Sequence, residues 1–429
     1  MPSIITRGAM SAKGFGFASL SASGYWIGLL GGAANQTARS LAVDSSGNVY
    51  VFGESTSSGA FSFQIAKYST SGVIQWQQTL GGSVADIGYS VALDSSGNVY
   101  VCGSSFPSTQ DIEIAKYNSS GAIQWQRKLA GTGQDYGRSI TLDSSGNIYV
   151  SGYSNSSGTY DLQIAKCDTS GAIQWQRRLG GTGFINTGYG IALDSSGNIY
   201  VSGYSDASGT YDFLIAKYNS SGAIQWQRRL GSAPTDCYGY SVAVDSSGNV
   251  YVGGHAYGFQ IAKYNTSGTI QWQRKLGSGY SFSVFSITVD SSGNVYACGL
   301  SQNTTDDLQI AKYDTSGAIQ WQRRLGGSAT DNGYGIALDS LGNIYVCGNS
   351  NASGAYDFLF ARLPNNGSLT GTYTVGGYSF VYAASALTDA ATTLTDAATS
   401  LTDAASSLTD SASTLTDAAS TLTSSVTQI

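Results

Sequence analysis

Apolar and polar residues alternate in short runs along most of this chain, and clusters of Gly, Ser, Asn and Asp separate the runs. Residues 188–230 show the pattern. Residues 189–193 form a short stretch of small and apolar side chains. Residues 194–198 read as a tight turn, because Asp194 can accept from the backbone two residues on and Gly197 tolerates positive φ. In 198–203, Ile199 and Val201 alternate against Tyr200, which predicts a strand. A loop of variable sequence follows, then a third strand over 213–218, a second tight turn over 219–222, and a fourth strand over 223–230. The fourth strand should place Ile224, Trp226, Arg228 and Leu230 on one face and Gln225, Gln227 and Arg229 on the other.

This unit recurs. Asp-Ser-x-Gly-Asn begins at Asp44, Asp94, Asp143, Asp194, Asp245, Asp290 and Asp339. Each copy is followed by Ile-Ala-Lys-Tyr or a variant, at Ile65, Ile114, Ile164, Ile215, Ile261, Ile310 and Phe360. Six copies carry Ile-Gln-Trp-Gln, with Trp76, Trp125, Trp175, Trp226, Trp272 and Trp321. Four-stranded units repeated at about 50 residues are the mark of a propeller, which commonly has about four to eight blades. One blade cannot cover both of its faces, and stacking around a ring lets each blade cover the next. The expected fold is therefore all-β, a seven-bladed propeller; the alternative is an open linear stack. The seventh repeat lacks its Trp strand, and Gly371 stands at the Trp position. Upstream of the first repeat, residues 23–32 match the fourth-strand pattern around Trp26. The Trp26 strand is thus predicted to complete the last blade and close the ring.

After residue 385 the period changes. Leu387, Leu394, Leu401, Leu408, Leu415 and Leu422 recur every seven residues, ending at Ile429, and Ala391, Ala398, Ala405, Ala412, Ala419 and Val426 follow each Leu by four. Leu at d and Ala at a predicts a coiled-coil helix, about 65 Å long at about 1.5 Å rise per residue. Its Thr, Ser and Asp are mediocre helix formers, so it should form only when bundled with other chains. The chain then divides into an N-terminal segment (1–21), a propeller (22–377), a linker (378–386) and a heptad tail (387–429).

Composition limits the chemistry. The net charge is −6, which gives no reason to expect nucleic-acid binding. Nearly all Lys and Arg fall at two repeated positions; only Arg7, Lys13, Arg39 and Arg138 stand outside them. No apolar run is long enough to span a membrane, and the opening residues do not read as a secretory signal. The cysteine count is odd. Cys102, Cys298 and Cys347 share one repeat position and read as small, half-buried strand residues, without metal or disulfide spacing. No cofactor or metal site is expected. His255 is the sole histidine, Glu54 and Glu113 are the only glutamates, and no G-x-S-x-G elbow is present, so an enzyme is not expected.

In an antiparallel four-stranded blade, the first and third turns share one rim of the ring. The second turn and the blade-to-blade connection share the other. The first rim carries nearly constant turns; the second carries the segments that differ between repeats, where binding usually resides. That variable rim is rich in Tyr, Asp and Asn. Candidate ligand residues are Tyr153, Tyr160, Asp161, Tyr204, Tyr211, Asp212, His255, Tyr257, Tyr356 and Asp357. Aromatic faces can stack on sugar C–H surfaces while Asp and Asn bond hydroxyls. Asp161, Asp212 and Asp357 also share one repeat position, which is equally the signature of a strand-start turn.

The string Asp-Ser-x-Gly-Asn-aliphatic-Tyr-Val-x-Gly, with Ile-Ala-Lys-Tyr-Asn-x-Ser-Gly-x-Ile-x-Trp after it, resembles the SBBP β-propeller repeats over roughly residues 22–377. That resemblance implies fold alone. The opening IITRGAMSAKGFGF is similar to the N-termini of some phage tail and fibre proteins, including those of cyanophages. It implies a virion fibre or adhesin, made in the host cytoplasm and assembled into the particle. Its partners would be other virion proteins, a host-surface glycan or receptor, and its own copies. By analogy with such fibres the tail would form a homotrimer. A structural virion connector and a bacterial surface propeller are the alternatives.

Overall fold

The computed structural model describes residues 24–428 except 83–84, 107–109, 182, 232, 280, 303–304, 393, 399–401, 406–408, 413–415 and 420–422; from residue 396 onward it describes the backbone. Segment 1–21, with Arg7 and Lys13, lies outside the described residues, as do Leu401, Leu408, Leu415, Leu422 and Ile429.

The chain folds into seven antiparallel sheets; six hold four consecutive strands in sequential order, and the last is completed by the N-terminal strand. In the fourth blade these are Asn186–Leu193, Ile199–Ser205, Asp212–Tyr218 and Ile224–Gly231, close to the expected bounds. The second and third strands of each blade are buried on both faces. Ile199, Tyr200 and Val201 are all inaccessible to solvent, where alternation alone pointed to one buried face. Blade stacking covers both sides of every sheet, as in other layered β architectures. The cysteines form no disulfide among the described residues, and Cys102, Cys298 and Cys347 are fully buried, not half-buried, for the same reason.

The Asp of each constant turn organises that turn. Asp194 Oδ1 accepts the N–H groups of Ser196 and Asn198 (both 2.9 Å), and Oδ2 accepts from Asn198 Nδ2 (2.8 Å) and Tyr200 Oη (3.0 Å). Gly197 adopts φ +76°, a conformation that glycine reaches without strain. Neighbouring blades are stitched at the outer edge by tryptophan: Trp76 Nε1 donates to Ser119 O (3.2 Å) and Trp272 Nε1 to Thr315 O (3.1 Å).

The ring closes as the sequence predicts. Trp26–Gly31 pairs antiparallel with Asp357–Leu363 and becomes the fourth strand of the last blade. Trp26 is fully buried and donates to Thr70 O of the first blade (3.0 Å). The Gly371–Val375 segment instead forms a hairpin with Tyr378–Ala384, which lies on the outer edge of the sixth blade. Residues 378–384, read above as linker, are therefore strand.

The tail overturns the helical expectation. Short strands Asp389–Ala391, Thr395–Ala398, Thr402–Ala405, Thr409–Ala412, Thr416–Ala419 and Thr423–Gln428 each pair antiparallel with the outermost strand of a different blade. They run backwards from the fifth blade to the first, then to the seventh. The register repeats with the heptad: Ala391 faces Arg274, Ala398 faces Arg228, Ala405 faces Arg177, Ala412 faces Arg127, Ala419 faces Gln78 and Val426 faces Gly28. One heptad thus spans one blade, about 23 Å of extended chain at about 3.3 Å per residue. Each outer strand would otherwise present unpaired N–H and C=O groups. Pairing covers those edges, while a lone helix rich in Thr, Ser and Asp would be marginal in water. Leu387 packs on the core between the fifth and sixth blades and Leu394 on that between the fourth and fifth. These two leucines fill gaps between blades, and the described residues of the tail form strands, not helix.

Candidate functional site

Every blade's innermost strand carries a β-bulge at the same place, five residues before the turn Asp. The registers skip Arg39, Tyr89, Arg138, Tyr189, Tyr240, Phe285 and Tyr334 in turn. A bulge re-aims the side chain of its extra residue, and here all seven turn towards the ring axis. Their contacts form a closed circuit. The Arg39 guanidinium lies 5.9 Å from the Tyr89 ring centroid and 5.1 Å from that of Tyr334. That of Arg138 lies 4.1 Å from Tyr89 and 5.0 Å from Tyr189. Tyr189–Tyr240, Tyr240–Phe285 and Phe285–Tyr334 complete it at 5.4, 5.3 and 5.2 Å. The central channel is thus crossed by a girdle of two cations and five aromatic rings.

Above this girdle, on the variable rim, a second tier comes from the end of each second strand and the start of each first strand. Blades three to five fill it with tyrosine. Tyr136 stacks on Tyr153 (4.5 Å between centroids), and Tyr160 meets Tyr153 edge-on at 5.4 Å. Tyr204 touches Tyr189, Tyr211 and Tyr238 at 5.7, 5.2 and 4.9 Å. The sole histidine, His255, lies parallel to Tyr238 at 6.3 Å and its Nδ1 is 2.8 Å from Phe282 O. One continuous aromatic surface therefore lines half of the channel mouth. Tyr160, Tyr204, Tyr211 and Tyr238 are half-buried and so partly accessible to a ligand.

Of the residues singled out from sequence, Tyr160, Tyr204 and Tyr211 belong to this surface, while Tyr153 and His255 are buried against it. The remainder do not join it. Asp161, Asp212 and Asp357 are buried at the start of the third strand. There Asp161 Oδ2 accepts from Ser157 Oγ (2.6 Å) and pairs with Arg178 (3.5 Å), while Asp212 Oδ2 accepts from Ser208 Oγ (2.6 Å) and pairs with Arg229 (3.0 Å). Burial pushes the Asp357 carboxyl above its usual range, against hydrogen bonds from Ser353 and Gly32. These carboxylates hold the second turn together, the strand-start role that their shared position allows. Tyr356 sits at the seventh blade, its N–H bonded to Asn35 Oδ1 (3.1 Å). Tyr257 is exposed at the tip of the short fifth-blade turn with φ +50°.

Sequence reasoning missed the girdle itself, along with Tyr136 and Tyr238. A signal was present. Arg39 and Arg138 are two of the four basic residues outside the repeated positions, and both stand five before the turn Asp, where other repeats have an aromatic residue. Nothing in linear sequence says that a bulge turns that position inward.

The SBBP β-propeller repeat model matches residues 26–59, 75–105, 124–158, 174–209, 225–259 and 320–354. The chain carries SBBP β-propeller repeats. Each matched SBBP segment starts in the outermost strand of one blade and ends after the second strand of the next, so the repeat is offset by one strand from the blade. That offset is why the Trp26 strand stands first in the chain and last in the ring. A second β-propeller family, of unknown function, matches residues 195–224. No curated protein matches the sequence. Among solved structures, a protein of unknown function from Bacteroides caccae is similar at 15% identity and TM-score 0.44, over 70% of this chain and 93% of its own. A gluconolactonase from Xanthomonas campestris is similar at 11% identity and TM-score 0.40, over 67% and 90%. YCF48 bound to D1 peptide is similar at 11% identity and TM-score 0.48, over 81% and 98%. These likenesses concern the fold alone.

Proposed function

We propose that this SBBP-repeat propeller is a binding module that takes a glycan at the tyrosine-lined mouth of its channel. The observation that carries the reading is the continuous aromatic surface of blades three to five, set on the rim where the repeats differ. Sugar rings present apolar C–H faces that stack on flat aromatics, and the phenol hydroxyls can bond their edges. The rigid ring holds these side chains in place before a ligand arrives, which lowers the ordering cost of binding. The setting we propose is a virion adhesin that recognises a host-surface glycan. It rests on the likeness of the opening segment to phage tail proteins and no longer on a stalk, since the tail is wrapped on the propeller.

The test is a glycan array read with the purified protein, followed by titration of any hit. Replacing Tyr160 and Tyr211 together by Ala should weaken binding about tenfold or more, while Tyr356→Ala, away from the cluster, should leave it unchanged. Folded protein that binds no glycan, but captures another virion component through the same rim, would favour the structural-connector reading.

A further inference from the structure

The two arginines of the girdle stand at equivalent places in two blades, and the protein treats them differently. Arg39 is paired with a carboxylate. Its Nε donates to Glu54 Oε1 (3.1 Å) and its Nη2 to the same oxygen (2.8 Å). Glu54 sits ten residues after the turn Asp of its repeat. The residue at that place in the third repeat is Tyr153. Arg138 accordingly has no carboxylate within ion-pair distance among the described residues. Its Nη2 donates to Tyr153 Oη (2.6 Å), and its Nε is buried without a hydrogen-bond partner. Tyr89, Tyr136, Tyr153 and Tyr189 surround the guanidinium, with centroids 4.1 to 5.8 Å away.

Ring faces partly offset the lost hydration of a cation but do not accept N–H bonds in the plane of the guanidinium. A planar fork with an unused donor matches a carboxylate in geometry and charge. We infer that Arg138 is an anion-recognition site, and that the anion is the carboxylate of an acidic sugar whose ring rests on the neighbouring tyrosines. This rests on the glycan reading and narrows it to acidic glycans. Asp206 and Asp236 interact electrostatically with Tyr211, on the fourth- and fifth-blade side. The acidic group should enter over the third blade, away from these two carboxylates.

The experiment uses the full chain and matched probes: oligogalacturonate, its fully methyl-esterified form, and sodium acetate as a free carboxylate. Wild-type protein should prefer oligogalacturonate to the ester by about tenfold to a hundredfold, the worth of a charge-assisted bond. Acetate should compete only weakly, because it brings no ring to stack. Arg138→Met should abolish the preference while leaving the residual binding of the ester, and Arg138→Lys should restore part of it. Equal binding of acid and ester by the wild type overturns the inference and leaves the glycan reading standing. Binding of neither probe, nor of any glycan on the array, removes both. If Arg138→Met instead lowers the melting temperature and weakens acid and ester alike, Arg138 is a packing hub and the inference fails.

Discussion

Asp94 in a constant turn and Asp331 at the head of a first strand titrate in opposite directions, which separates their roles. In Asp94, burial works against ionisation, but hydrogen bonds from Asn98, Ser96 and Tyr100 prevail and hold the carboxyl below its ordinary value. Asp94→Ala strips acceptors from three residues and should cost about 1–3 kcal/mol, read by urea unfolding at pH 7. Asp331 behaves in the reverse way. Burial pushes its carboxyl up to about 6, against the smaller pull of Ser350 and the Gly327 N–H. The folded state then binds this proton more tightly than the unfolded chain, so its contribution to stability declines as pH climbs from about 4 to about 6. Asn186 occupies the equivalent place in the fourth blade and accepts from Ser205 Oγ (2.6 Å), so the fold accommodates an amide there. The stability of Asp331→Asn relative to wild type should rise across that pH window in urea titrations. A difference that is flat or falling would contradict the assignment.

Among the elements, the Trp26 strand and the tail do comparable work at the two ends of the chain. Trp26 is fully buried and joins the last blade to the first, so Trp26→Ala should cost about 3–5 kcal/mol. Trp76, half-buried at an ordinary blade junction, should cost less. The tail is held by side chains of the propeller as well as by backbone. Gln273 Nε2 donates to Leu394 O (2.9 Å), Gln322 Nε2 to Leu387 O (2.7 Å), and Arg274 pairs with Asp389 (3.7 Å). These glutamines are the last residue of Ile-Gln-Trp-Gln. Removing residues 386–429 should lower the melting temperature and promote aggregation through the bared outer strands. Deleting one heptad should be milder than deleting three residues, because a seven-residue step carries each following strand to the equivalent place on the next blade, whereas a three-residue slip turns every following side chain to the other face. A deep circular-dichroism minimum at 222 nm that vanishes on truncation would restore the helical tail.

At the scale of the molecule, the tail's destination changes what the protein can be. Leucines that read as a seam between chains sit, where described, in gaps between blades of one chain. The full-length protein should therefore sediment with the mass of a single chain. A three-chain mass that truncation at residue 386 reduces to one would show that the heptads join copies. The two rims also divide the labour: the constant turns tie blades together, and the variable rim carries the tyrosine mouth and Arg138.

The blade count, the four strands of each blade, the constant turns and the closing Trp26 strand were all legible in the sequence, because each depends on residues close together or on a repeat that states itself seven times. The candidate site was legible in part. Tyr153, Tyr160, Tyr204 and Tyr211 stood out as aromatics on loops of changing sequence, yet the same argument drew in Asp161, Asp212 and Asp357, which are buried supports. What the linear pattern could not decide was direction and company. A bulge turns Arg39 and Arg138 to the axis, and only the closed ring brings seven such positions into contact. The heptad suits a helical seam and a blade-to-blade step equally well. Six free strand edges, present only once the propeller has formed, settle the choice by giving the tail's backbone somewhere to pair.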